Sequence, residues 1–137
     1  MKKLLMIIIV ILFLSGCGNN NLVCTRRENN KGSNVSEKYE TSFDGDKIET
    51  VIWTSTTTVT GTSIDINTVI TSAEQISTIF NGLEGVTSSV EARGNRVTVT
   101  TTLNVFEMDD ADIIRLSLFL ERDTYKELKV DSGFTCK

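Results

Sequence analysis

The chemistry open to this chain is bounded first by a residue it lacks. There is no histidine, so the commonest general base and the commonest metal ligand are missing together. No Ser–His or Cys–His nucleophile pair can be built, and the motifs of a Ser–Lys enzyme are absent. Glu107, Asp109, Asp110 and Asp112 cluster carboxylates that could hold a cation. Their spacing is not that of a twelve-residue calcium loop, and acidic residues opening a helix account for them without a metal. Asp44 and Asp46 flank Gly45 and read as a turn. Arg93 and Arg96 flank Gly94-Asn95 and could pin a carboxylate or phosphate, although solvated hairpin ends explain them as well. Trp53, the only tryptophan, joins Tyr39 and Phe80 as the aromatic surface a small ligand would use. Core packing would use the same three residues. We therefore expect no catalytic residue, no metal and no cofactor.

The three cysteines carry more information. Lys2 and Lys3 form a positive start, residues 4–14 are continuously apolar, and Ser15-Gly16 precede Cys17. Charge, apolar run and small-residue cleavage site follow the order of a signal peptide. The run is too short to span about 30 Å of hydrocarbon at 1.5 Å per residue. Leu14-Ser15-Gly16-Cys17 matches a bacterial lipobox at all four positions, and its cysteine sulfur is where the diacylglyceryl group is attached. This pattern predicts a signal segment over 1–16, a lipidated Cys17 with a short polar tether over 17–21, and a single domain over 22–137. The location expected is the cell membrane, extracytoplasmic face, lipid-anchored. Each buried CH₂ contributes roughly 0.8 kcal/mol, so two or three acyl chains anchor firmly. Cleavage would leave 121 residues, enough for one domain, and move the formal charge from −4 to −6. An acidic surface argues against a nucleic-acid partner. Cys24 and Cys136 remain as a pair in an oxidising compartment, and a disulfide is the natural reading. Two free thiols are the alternative, although no C-x-x-C spacing supports redox chemistry.

These residues must be placed by secondary structure. A first strand is expected around residues 22–28, a turn over 29–34 and a second strand over 35–43. Asp44-Gly45-Asp46 signals a hairpin into a long β-branched strand over about 47–60. Its register stays open: a three-residue loop sets Tyr39 beside Val51, whereas a two- or four-residue loop favours Ile48 and Ile52 on the shared face. Residues 54–63 are mostly Thr and Ser, the composition of an exposed strand face or a binding surface. Ile66, Val69, Ile70, Ala73, Ile76, Phe80 and Leu83 then repeat at helical spacing. Thr71 with Glu74, or Ser72 with Gln75, offers a capping box, and Gly82 or Gly85 a stop. A second hairpin turns at Gly94-Asn95; in the simplest register Arg93 opposes Arg96, Val90 opposes Val99 and Val86 opposes Leu103. Asp109-Asp110 opens a further helix, Thr124 with Glu127 caps another ending near Val130, and Gly133 releases a final strand. The order β-β-β-α-β-β-α-α-β predicts an α+β domain, an antiparallel sheet of five to six strands with helices on one face.

The lipobox, Cys24-Thr25, Met108-Asp109-Asp110 and the closing Gly133-Phe134-Thr135-Cys136-Lys137 together resemble the YehR-like family of small bacterial lipoproteins. The resemblance runs over the whole mature chain. It implies an α+β fold and an envelope location; it implies no activity and carries over no functional residue. Three readings of function follow. The leading one is a non-catalytic envelope protein that contacts another protein or the cell wall. The second is a small-ligand binding module with a pocket around Trp53, Tyr39 and Phe80. An enzyme ranks last, because no convergent catalytic set is visible.

Overall fold

The computed structural model describes residues 21–137. The signal segment, Cys17 and most of the tether lie outside the described residues. Strands β1 (Leu22–Asn30), β2 (Ser33–Asp44) and β3 (Lys47–Val59) form a meander. Helix α1 (Ile66–Asn81) follows, then β4 (Val86–Arg93) and β5 (Arg96–Asn104). A 3₁₀ turn (Val105–Glu107) leads to α2 (Asp110–Arg115), α3 (Arg122–Asp131) and the short β6 (Thr135–Cys136). The expected α+β composition holds, and the 3₁₀ turn is the one element added to the expected order. The six strands lie in the order β4-β5-β3-β2-β1-β6, and every pairing is antiparallel.

Cross-strand register explains which residues face inward. One row runs Leu22, Thr41, Val51, Leu103, Val86 across five strands. The next inward row runs Cys136, Cys24, Tyr39, Trp53, Thr101, Ser88. Leu22, Cys24, Thr41, Val51, Thr101 and Leu103 are buried. The side-chain period of two puts Thr54, Thr56, Thr98 and Thr100 on the opposite face, where Thr56 and Thr98 hydroxyls meet at 3.2 Å.

The β4–β5 hairpin has the expected register at every named pair: Arg93–Arg96, Val90–Val99 and Val86–Leu103. The β2–β3 hairpin departs from both simple alternatives. A two-residue turn, Gly45-Asp46, pairs Asp44 with Lys47 and Phe43 with Ile48. A bulge between Ser42 and Phe43 then pairs Ser42 with Thr50, so Glu49 is the extra residue. Ile48 faces the core at the tip and Val51 faces it beyond the bulge, both 2 % exposed. Tyr39 consequently lies opposite Trp53, not Val51. A bulge leaves no periodic signature, because it consists of a change of period.

Helix ends are set by residues that the capping-box patterns did not identify. Asp65 caps α1 by accepting from the Asn67 N–H at 3.1 Å, so Thr71 and Ser72 lie inside the helix. The Thr71 hydroxyl instead donates to the Asn67 carbonyl at 2.9 Å. The acidic start expected for α2 is present, and Asp109 is its cap, accepting from the Ala111 N–H. Helix α3 starts at Arg122, so Thr124 and Glu127 do not form its cap. Both later helices finish in a Schellman motif. In α2 the Leu118 N–H donates to the Ile113 carbonyl and the Ser117 N–H to that of Ile114. In α3 the Phe134 N–H donates to the Lys129 carbonyl and the Gly133 N–H to that of Val130. The left-handed position is Gly133 (φ 90°) in α3 but Ser117 (φ 57°) in α2.

Packing also corrects the helical faces. Ala73 and Ser77 are the buried residues of α1, while Ile76 and Ile79 reach solvent. The Asn81 amide donates to the Ser88 carbonyl and its oxygen accepts from the Ser88 N–H, which ties the helix end to β4. Helix α3 inverts the usual pattern. Its inward side carries Arg122, Tyr125 and Lys129, and its Leu128 and Val130 are exposed. The cations rest on aromatic faces: Arg122 over Phe43 at 5.4 Å and Lys129 over Tyr39 at 3.3 Å.

Candidate functional site

Helix α1 packs through Ala73 against Val97 and Val99 of β5, with Trp53 beside them. Helix α3 lies over the other half of the same sheet face, with the Tyr125 ring against Phe43 and its hydroxyl accepting from Thr41 Oγ1 at 3.2 Å. Between the two helices the inward face of β3 lines a cavity of about 150 Å³. Its floor is Val51 and Leu103, and Leu116, Leu118 and Tyr125 close one side. Tyr39, Trp53, Phe80 and Lys129, all half-buried, complete the wall. The three aromatic residues singled out from sequence thus line one pocket.

The aromatic rings form a connected set. Tyr39 and Trp53 stack with centroids 6.3 Å apart, and Trp53 meets Phe80 at 5.9 Å. Tyr39 also takes the edge of Phe134 at 5.3 Å, and Phe134 is turned inward by the cap of α3. These contacts give the pocket rigid apolar walls.

Two polar groups stand out against those walls. Trp53 Nε1 is buried and has no hydrogen-bond partner among the described residues. A buried donor left without an acceptor costs about 1–3 kcal/mol. The second group is the Lys129 amine. Burial pushes it down to about 8, opposed by the Glu37 carboxylate and reinforced by nearby Arg26. Glu37 is itself held by Arg26, whose Nε and Nη2 both donate to Glu37 Oε2, so it cannot fully neutralise the lysine. Burial also pushes the Tyr39 hydroxyl up to about 12, and it raises Tyr125. Tyrosines at this site therefore stay protonated at physiological pH, whereas Lys129 holds its proton less tightly than a solvated lysine.

Lys129 is the site residue that sequence reasoning missed. Its signal was the spacing Arg122, Tyr125, Lys129, at i, i+3 and i+7 on one helical side. The aliphatic residues of the helix, Leu128 and Val130, are exposed instead.

The disulfide is present between Cys24 and Cys136, neighbours on β1 and β6 separated by 112 residues in sequence. It fastens the edge strand beside Tyr39 and Phe134. The acidic residues do local work: Asp109 caps α2, and Asp112 pairs with Arg115 at 2.6 Å. Arg93 pairs with Glu91 on an exposed hairpin end. Among the described residues no group of three acidic or sulfur-bearing side chains is placed to hold a metal. No protein-family model, curated protein or solved structure matches the chain.

Proposed function

We propose that this protein is a lipid-anchored envelope lipoprotein whose domain binds a small ligand in the pocket between α1, α3 and the sheet. The observation that carries this reading is that Lys129, a cationic amine, and Trp53, whose buried indole N–H is unpaired, line the same apolar cavity. Donors in an otherwise apolar pocket select a ligand with an apolar body and an acceptor, best an anionic one. The cavity matches in size one known to accept a benzene-scale group, so a small aromatic or branched carboxylate is the class proposed. The lipobox at Cys17 and the likeness to YehR-like lipoproteins support attachment to the outer side of the cell membrane. No step of bond chemistry is assigned to the site.

The single tryptophan lies in the pocket wall, so its fluorescence reports occupancy directly. Titration of the lipoprotein with benzoate, phenylacetate and isovalerate should shift or quench that emission saturably. Lys129→Met should weaken the effect at least tenfold. Absence of a saturable change with all three acids, or a change indifferent to Lys129→Met, would reject this ligand class.

The surface-contact reading keeps separate support. The sheet face away from the helices carries Thr25, Lys38, Thr54, Thr56 and Thr135 around a broad polar depression. Hydroxyls in this arrangement suit a polar polymer or protein partner, and in-cell crosslinking from Thr56 would identify one.

A further inference from the structure

Three apolar side chains near one end of the domain reach solvent: Phe106 and Phe119 at 62 % exposure and Ile114 at 65 %. Phe106 and Phe119 border a trough together with Lys47, Ile48 and Ile113. The register fixes which end of the sheet this is. Leu22, where β1 begins, shares a cross-strand row with Leu103, and the 3₁₀ turn carrying Phe106 starts at Val105. Three strand spacings of about 4.8 Å separate Leu22 from Leu103, roughly 14 Å. The β2–β3 turn is at the same end, where the Arg122 N–H donates to the Asp46 carbonyl. The β1–β2 and β4–β5 turns are at the opposite end, about 30 Å away at 3.3 Å per strand residue.

The covalent tether converts this placement into a constraint. From Cys17 to Leu22 the chain advances five residues, a reach of at most about 17 Å when fully extended. An acyl chain on Cys17 holds the Leu22 end of the domain within that distance of the bilayer surface. The apolar trough, about 14 Å across the same end of the sheet, then lies within about 31 Å of the membrane surface and can be brought onto it by tilting the domain.

We propose that Phe106, Phe119 and Ile114 form a membrane-seating surface that enters the bilayer interface when Cys17 is lipidated. This rests on the lipoprotein reading above, and the occupant is the lipid surface next to the anchor. Phe and aliphatic side chains on a surface held against a bilayer bury at the boundary of headgroups and acyl chains. The trough is lined mainly by apolar side chains, with one cation, Lys47, and one carboxylate, Asp110, so the contact is apolar and not a basic patch attracted to anionic headgroups. Membrane affinity comes from the lipid; the trough orients the domain, leaving the pocket and polar sheet face beside the bilayer.

The test uses full-length protein matured in cells and reconstituted into phosphatidylcholine vesicles with brominated acyl chains. An environment-sensitive fluorophore is placed at Glu107→Cys, beside the trough, or at Lys31→Cys, on the far turn. Quenching severalfold stronger at position 107 than at 31 is expected. Phe106→Ser with Phe119→Ser should abolish the difference while the protein still sediments with vesicles. Equal quenching at both positions in protein whose intact mass shows the lipid overturns the seating proposal alone. In unlabelled protein on the same vesicles, a disulfide-linked dimer formed through Glu107→Cys but not through Lys31→Cys on adding a mild oxidant assigns the surface to a second copy and also overturns it. An intact mass without lipid removes the anchor reading and this proposal together.

Discussion

Lys129 Nζ lies 3.3 Å from the centre of the Tyr39 ring, where it also faces Tyr125 and Phe134 at 5.4 and 5.5 Å. The chain's own lysine thus sits against three aromatic residues at the edge of an apolar pocket. The ring face favours the charged amine, while loss of solvent disfavours it.

This contact makes stability depend on pH in a defined direction. Lys129 titrates near 8 in the folded protein and near 10.5 when unfolded. Between those values the unfolded state binds more protons, so this group makes stability rise with pH. The burial penalty is fully present below about 8 and gone above about 10.5. Tyr39 has the opposite effect between 10 and about 12, because there the folded state keeps a proton the unfolded state has lost. Chemical denaturation from pH 7 to 10 should show a shallower rise for Lys129→Met than for wild type. Parallel curves would show that the amine is solvated.

Trp53→Phe separates packing from hydrogen bonding. It keeps an aromatic ring against Tyr39 and Phe80 and removes the unpaired indole N–H. Loss of the buried donor offsets part of the lost ring volume, so stability should change by less than about 1 kcal/mol. Calorimetric affinity for the pocket ligand should nevertheless fall severalfold. A loss above about 3 kcal/mol would mean that the indole serves the core alone.

Cys24–Cys136 closes a loop of 112 residues. Its removal should cost about 2–5 kcal/mol. The oxidised chain should be two hydrogens lighter than the reduced one by intact mass. Cys24→Ser with Cys136→Ser should also loosen β6, seen as faster amide exchange at Val23 and Lys137, whose backbones bond to each other.

Ser117 holds a left-handed position that glycine adopts without cost. Ser117→Gly should therefore stabilise the domain by about 1 kcal/mol, measured as a higher denaturant midpoint at an unchanged slope. Gly133→Ala, at the equivalent position of α3, should destabilise by a similar amount.

Gly85 has φ 74°, and a Cβ there would lie 2.8 Å from the Asn104 carbonyl oxygen and 2.9 Å from Glu107 backbone. Gly45 has φ 63° with nothing within 4 Å. Gly85→Ala should cost more than about 3 kcal/mol, since backbone must move, whereas Gly45→Ala carries only the strain of about 1 kcal/mol. Comparable thermal shifts for the two variants would contradict this distinction.

Local rules made much of this protein legible before any coordinate was known. Gly94-Asn95 and the alternation of Val86, Val90, Val97, Val99 and Leu103 specify a hairpin because a one-residue slip would put apolar residues on opposite faces, and the two-residue turn excludes larger slips. Cys24 and Cys136 were the two cysteines outside the stretch that reads as a lipobox, which made a disulfide the natural reading and two free thiols the alternative; the structure holds the disulfide. Trp53, Tyr39 and Phe80 were recognisable as a set by chemistry. Long-range packing decided the rest. The β2–β3 bulge shifted Tyr39 opposite Trp53, and the separation of α1 from α3 left a cavity where those rings meet. Lys129 entered that wall because the aromatic faces of Tyr39 on β2 and Phe134 just before β6 accept a cation as readily as an aliphatic side chain. Helix periodicity records only average polarity along one element; it contains nothing about what that element will touch.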